Sequence, residues 1–188
     1  MPSFAAVDWK ALPKVCLHEH IDGGLRPGTL VELARERGLE LPHDEPAAVG
    51  RWMAQNAYSG SLERYLEGFA YTVEAMATEA ACERVAFELA EDAHEEGCVL
   101  GEFRMAPQLF ERFGLSAEAA TEALLRGLRR SPLPSGLIVC GMRQMAPDAT
   151  LRAARLAARY RPDGVIGFDL AGPERGFPAA DHRTAIDT

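Results

Sequence analysis

The chain has no apolar run approaching the roughly 18–20 residues that crossing a bilayer requires. Cysteine is scarce: Cys16, Cys82, Cys98 and Cys140 lie far apart, with no CxxC pair. That spacing excludes a zinc ribbon, a thioredoxin-like motif and a disulfide scaffold. Lysine is nearly absent, and Lys10 and Lys14 are the two in the chain. Positive charge is outweighed, with 20 basic against 28 acidic residues. An acidic balance speaks against nucleic acid or an anionic membrane as partner. The opening segment, MPSFAAVDWKALP, has neither a charged n-region nor an apolar h-region, so no secretory signal is expected. Free thiols in a reducing cytoplasm are then the default. With 188 residues, 47% hydrophobic, one globular domain over residues 1–188 is expected. A small-molecule enzyme or a protein-binding module remains.

Acid is concentrated early. Residues 1–100 hold 8 basic and 18 acidic side chains, against 12 and 10 in residues 101–188. A solvated acidic helical surface is expected in the first half. Val15 to Ile21 is an apolar run of strand length, closed by Asp22, Gly23, Gly24 and Pro27. A helix carrying Leu30, Leu33 and Ala34 follows and stops at Gly38. Residues 41–50 hold Pro42 and Pro46 and read as loop. Two helices are predicted over 61–77 and 79–96, with Gly97 closing the second. Cys98 to Met105 reads as a strand. Ser116 caps a helix to about Arg130, with Glu118 and Glu122 early and Arg126, Arg129 and Arg130 late, as the helix dipole favours. Leu137 to Met142 reads as a strand, Asp148 caps a helix to Tyr160, and Val165 to Leu170 reads as a fourth strand. Strands alternating with helices of this length predict βαβ units and a parallel sheet.

The first strand carries the chemistry. By alternation, Val15, Leu17, Glu19 and Ile21 share one face, and Cys16, His18, His20 and Asp22 the other. Two imidazoles about 6.5–7 Å apart can converge on one metal ion, and zinc suits nitrogen ligands. The plainer alternative is two hydrogen-bonded histidines on a polar edge.

At this point LPKVCLHEHIDGGLRPGTL resembles the N-terminal signature of the adenosine deaminase family, within the metal-dependent amidohydrolases. Ser61 to Phe69 resembles the family's apolar lid over the substrate. Gly101 to Pro107, Cys140 to Arg143 and Gly167 to Glu174 resemble its second-, third- and fourth-strand motifs, in the right order. The resemblance covers about residues 11–178. It implies a (β/α)8 TIM barrel, here about four βα units, that hydrolyses adenosine to inosine and ammonia with Zn2+. On that resemblance His18 and His20 are the first two zinc ligands. Asp22 meets the ribose hydroxyl, and Gly172 offers a backbone N–H to a purine ring nitrogen. Leu62, Tyr65, Phe69 and Met142 are apolar pocket residues, each with plain core packing as the alternative. Asp22 followed by Gly23 favours a nucleoside over a free base.

A closed barrel needs about 250 residues and eight strands, and four are predicted. In the family the third zinc histidine, the catalytic glutamate and the histidine base lie in later strands. The general acid and base are therefore expected beyond residue 188, and activity of this chain is expected to be impaired. His94-Glu95-Glu96 matches half of the H-x-E signature of another zinc deaminase class, but no P-C-x-x-C follows. His94 reads as a helix-end residue, and His43 and His182 as surface residues. Asp169 is expected to point inward with Val165 and Gly167 and to be paired. Glu102 and Arg104 share an inward face and are expected to pair with each other. Unpaired first and fourth strands predict self-association through exposed edges. Two alternatives stay open: an amidohydrolase acting on adenine or an adenosine-like metabolite, and a non-catalytic half-barrel binding a nucleoside or a partner chain.

Overall fold

The computed structural model describes residues 8–188, apart from the side chains of residues 62 and 63. Four parallel strands form one sheet in the order β1-β2-β3-β4. They are β1 (Lys14–His20), β2 (Cys98–Met105), β3 (Ser135–Met142) and β4 (Val165–Ala171). Four helices separate β1 from β2: α1 (Pro27–Arg37), α2 (Pro46–Ala57), α3 (Leu62–Ala75) and α4 (Glu79–Glu95). Then α5 (Ala117–Arg130) precedes β3, α6 (Pro147–Arg159) precedes β4, and a short α7 (Arg183–Ile186) follows. This is half of an eight-stranded (β/α) barrel, with all four strand C-termini at one mouth.

The helices start and stop for local reasons. Ser116 accepts a hydrogen bond from the Ala119 N–H at 3.1 Å, and Thr78 one from the Ala81 N–H at 3.1 Å. Both satisfy donors that a helix start leaves without intrahelical partners. Gly38, at φ 67°, ends α1 in the left-handed conformation. The stretch 41–50 is loop only as far as Glu45. Pro46 opens α2, where its missing N–H costs nothing and its fixed φ suits the first turn. Asp148 is not the cap of α6. Ala146 holds that position, Pro147 follows, and Asp148 lies in the first turn.

One face of the sheet packs on the helices. Phe103, Met105, Leu137, Val139 and Val165 are buried there with Val85, Leu124 and Leu156. Val165 thus faces the helices and not the barrel interior. The pairing slips between Leu137 and Ile138, so Gly167 and Asp169 register with Ile138 and Cys140 while Val165 registers with Leu137.

The acidic surface expected in the first half is compensated in part. Arg126 bonds Glu79 at 2.9 Å and Glu83 at 3.0 Å, and Arg130 bonds Glu83 at 3.1 Å, tying α5 to α4. Arg26 bonds Asp92 at 2.5 Å, and Arg84 bonds Glu88 at 2.7 Å. The hydrogen bond from Arg126 holds the Glu83 carboxyl below its usual pKa. These pairs are exposed, so their worth lies in register more than in stability.

The α4–α5 contact is close because of Gly127. A Cβ there would stand 2.2 Å from the Glu83 carbonyl oxygen and 2.9 Å from the Ala86 Cβ. Gly127→Ala should therefore cost about 1–3 kcal/mol of stability through overpacking. Urea unfolding checks this, and an unchanged midpoint would show that the two helices separate freely.

Candidate functional site

The first strand is not regular. Cys16 registers with Gly101 but Glu19 with Phe103, so β1 holds one extra residue. His18 absorbs it at φ 65°, the sole non-glycine with positive φ among the described residues. Such a backbone is uncommon outside glycine, and bulges concentrate beside functional sites. The bulge breaks the expected alternation. Partners in register share a sheet face, so Cys16 lies on the Phe103 side, away from His20, which registers with Arg104. Val15 registers with Leu100 on the interior side. Val15 and Leu17 remain 53% and 59% exposed, so they do not form a packed outer face.

Beyond the bulge the chain turns tightly. The Gly23 and Gly24 N–H groups both donate to the His20 carbonyl at 3.0 Å. The turn lays Asp22 beneath His20, whose Nδ1 is 3.5 Å from Asp22 Oδ1. Asp22 is buried, and its Oδ1 makes no hydrogen bond among the described residues. The His18 and His20 rings lie 5.7 Å apart between centroids. Helix α3 closes over them. Tyr65 and Phe69, one turn apart, meet edge-on at 5.2 Å, and Phe69 meets His20 edge-on at 6.0 Å.

These residues enclose a cavity of about 230 Å³ at the strand C-termini. His20, Asp22, Tyr65, Phe69, Met142 and Gly172 all line it. Leu62 opens α3, but its side chain lies outside the described residues. His18 stands beside the cavity, against Arg104. Gly172 has φ 95°, and a Cβ there would meet Gln144 Oε1 at 2.3 Å. The positive φ requires glycine at that position, while Gln144 is a flexible side chain that can move aside. Sequence reasoning missed Leu66, Leu109 and Cys140 in the lining. Leu66 follows Tyr65 directly and was within reach of the lid motif. Cys140 needed the β3 register.

Two further expectations change. Glu102 does not hold Arg104. Arg104, 3% exposed, reaches across to β4 and pairs with Asp169 at 2.5 Å. The expectation that Asp169 is paired therefore holds, with a partner two strands away. His182 is not a surface residue. It is buried, with Nε2 donating to the Arg143 carbonyl at 3.0 Å. His43 is exposed and His94 lies in the last turn of α4, each as expected.

Two imidazoles are half of what a catalytic zinc ion normally receives, three protein ligands and water. Among the described residues no third histidine, cysteine or carboxylate joins them in a metal-binding group. The donor chemistry fits zinc as far as it goes. His18 and His20 supply nitrogen, and Asp22 brings an oxygen without a hydrogen-bond partner to the side of His20.

A parallel α/β half-barrel with paired histidines at the C-terminal end of its first strand defines a chain of the amidohydrolase class. The family profile named "Adenosine deaminase" matches residues 13–187. The chain belongs to the adenosine deaminase family. It is 46% identical over 185 residues to adenosine deaminase 1 of Streptomyces coelicolor, covering 93% of this chain and 46% of that one. Adenosine deaminase of Mycobacteroides abscessus is 42% identical, with 93% and 51% covered. The chain thus spans about half the length of the curated relatives it matches. Among solved structures, an N6-mAMP deaminase from Arabidopsis superposes with a TM-score of 0.77 at 27% identity, covering 96% of this chain and 58% of that one. A zinc-bound amidohydrolase from Burkhoderia ambifaria superposes with a TM-score of 0.81 at 25% identity, covering 95% and 49%.

Burial pushes the Cys140 thiol up to about 12, against a partly offsetting effect of Arg104. The folded chain therefore favours the neutral thiol. Stability from this preference is complete below the unfolded thiol value near 9 and is lost as pH rises toward about 12. Denaturant melts at about pH 8 and about pH 10.5 should show a smaller alkaline loss in Cys140→Ala than in the parent. Equal losses would mean that Cys140 is more solvated than its burial implies.

Proposed function

We propose that this chain is the zinc- and nucleoside-anchoring half of an adenosine deaminase. The reading is supported chiefly by one observation: six residues from β1, α3, β3 and the β4 turn converge on a single cavity. In this reading His18 and His20 hold the zinc ion. When bound, zinc lowers the pKa of a water to about 7 and supplies hydroxide for attack on the amine-bearing purine carbon.

The chain's own residues bind and orient. Asp22 accepts a ribose hydroxyl, which would satisfy its unbonded oxygen. The Gly172 N–H donates to a purine ring nitrogen. Tyr65, Phe69 and Met142 cover the base with apolar surface and exclude water. The acid that protonates the ring and the base that handles the water proton are assigned to the part of the relatives' length that this chain does not span. Turnover by these 188 residues is accordingly impaired.

A second reading, an amidohydrolase acting on adenine or an adenosine-like metabolite, draws on the neighbours. One solved Arabidopsis relative is complexed with IMP, and another is an N6-mAMP deaminase. The cavity favours adenosine. None of the described residues lining it is Arg or Lys, and Asp22 places a carboxylate there. A 5′-phosphate would enter without a counter-charge.

Metal analysis and calorimetry test the proposal. One equivalent of zinc, lost in His18→Ala and in His20→Ala, is expected. Adenosine should bind with heat that falls at least about tenfold in affinity in Asp22→Ala, the scale of one charged hydrogen bond. Adenosine affinity unchanged by Asp22→Ala, or adenine bound more tightly than adenosine, would overturn it.

Self-association belongs to the same reading. Val15, Leu17, Leu100 and Ile166 are all exposed on or beside the interior face of the half-barrel. The free edges of β1 and β4 add unpaired backbone groups. Light scattering should find dimers or larger species; a monodisperse monomer that melts cooperatively would refute this.

A further inference from the structure

Arg104 is the most buried cation of the interior face and sits where the two candidate metal ligands begin. It is 3% exposed. Its Nη1 lies 2.5 Å from Asp169 Oδ2, 3.1 Å from His18 Nδ1 and in contact with His18 Nε2. Its Nε has no hydrogen-bond partner among the described residues. The guanidinium therefore spans three strands, from β4 through β2 to β1, and holds the bulged residue of β1.

A guanidinium donates hydrogen bonds and accepts none. A bond between Arg104 and His18 therefore uses a lone pair on a neutral imidazole nitrogen. A metal ion needs a lone pair of the same ring. It also brings two positive charges toward a cation that cannot lose its own. Arg104 and the metal thus compete for His18, while Asp169, bonded to the same Nη1, keeps Arg104 paired if His18 leaves.

We propose that Arg104 is a positioning residue that competes with the metal for His18, and that its ion pair with Asp169 keeps it paired when His18 turns to the metal. The inference rests on reading His18 and His20 as the metal ligands. It adds that an internal cation competes for one of the two ligands, at a cost in metal affinity.

The probe is Co2+ or Zn2+ added to the 188-residue chain, with binding followed by calorimetry and by cobalt absorption. Arg104→Met removes the charge and keeps similar bulk. It should bind the metal at least about tenfold more tightly than the parent, the scale of one charged hydrogen bond freed from competition. Arg104→Lys keeps a donor-only cation and should stay within about threefold of the parent. A merely structural role would not separate these two variants in this direction. Equal or weaker binding by a folded Arg104→Met overturns the inference alone. Failure of both parent and Arg104→Met to bind either metal instead removes His18 and His20 as ligands, and the inference with them.

A second measurement needs no substitution, should Arg104→Met not fold. In 15N-labelled parent chain, zinc should shift the Arg104 side-chain and His18 ring signals together in one titration. His18 signals that move while those of Arg104 stay fixed would overturn the proposal.

Discussion

A parallel sheet must be covered on both faces, because its connections cross over and place helices on one side while the other side faces a core or another layer. That constraint organises this chain. On the helix side it is met: Phe103, Leu137, Val139 and Val165 pack under α4, α5 and α6. On the interior side it is met only near the mouth, where α3 closes over His20 through Tyr65 and Phe69. Lower in the sheet, Val15, Leu17, Leu100 and Ile166 have no such cover. Because all strands run the same way, the covered end is also where every strand finishes. The site and the best-packed part of the interior are one place for that reason.

The helices and strands were largely legible because each carries its own local signal. β2 runs from Cys98 to Met105 in sequence and structure alike. The start of α5 was legible because Ser116 has a physical task there. The errors fall where the local signal is ambiguous. Pro46 breaks a helix interior but begins a helix equally well, so the start of α2, up to Gly50, reads as loop in the sequence. Asp148 is as favourable in a first helical turn as at a cap. The β1 bulge is invisible in sequence because nothing in KVCLHEH marks an extra residue, and only pairing with β2 shows it at His18.

The site was legible to the extent that its residues carry motifs. His20, Asp22, Tyr65, Phe69, Met142 and Gly172 come together as one lining although they span 152 positions of sequence number from first to last. What the motifs could not convey is which charges meet. Glu102 lies two residues from Arg104 and is the obvious partner by alternation. Asp169 is remote in sequence, and becomes the partner because β3 sets β4 in register with Cys140. Burial of His182 is of the same kind, since it depends on where the Arg143 carbonyl lies.

These long-range pairings explain why the interior tolerates a cation as buried as Arg104. An isolated charge there would be costly, but the Asp169 carboxylate and the His18 imidazole both answer it at Nη1. If His18 and His20 hold a metal, as proposed, the same arrangement sets a limit on that chemistry. His18 can satisfy Arg104 or a metal ion, and its bulged backbone brings the ring within reach of both. His20 has no such conflict, since its near neighbours are the Asp22 carboxylate and the edge of Phe69. The two histidines of the motif are therefore unequal in physical terms. On the proposal that both bind a metal, His20 is free of a competing cation, whereas His18 must give up Arg104, which stays paired with Asp169.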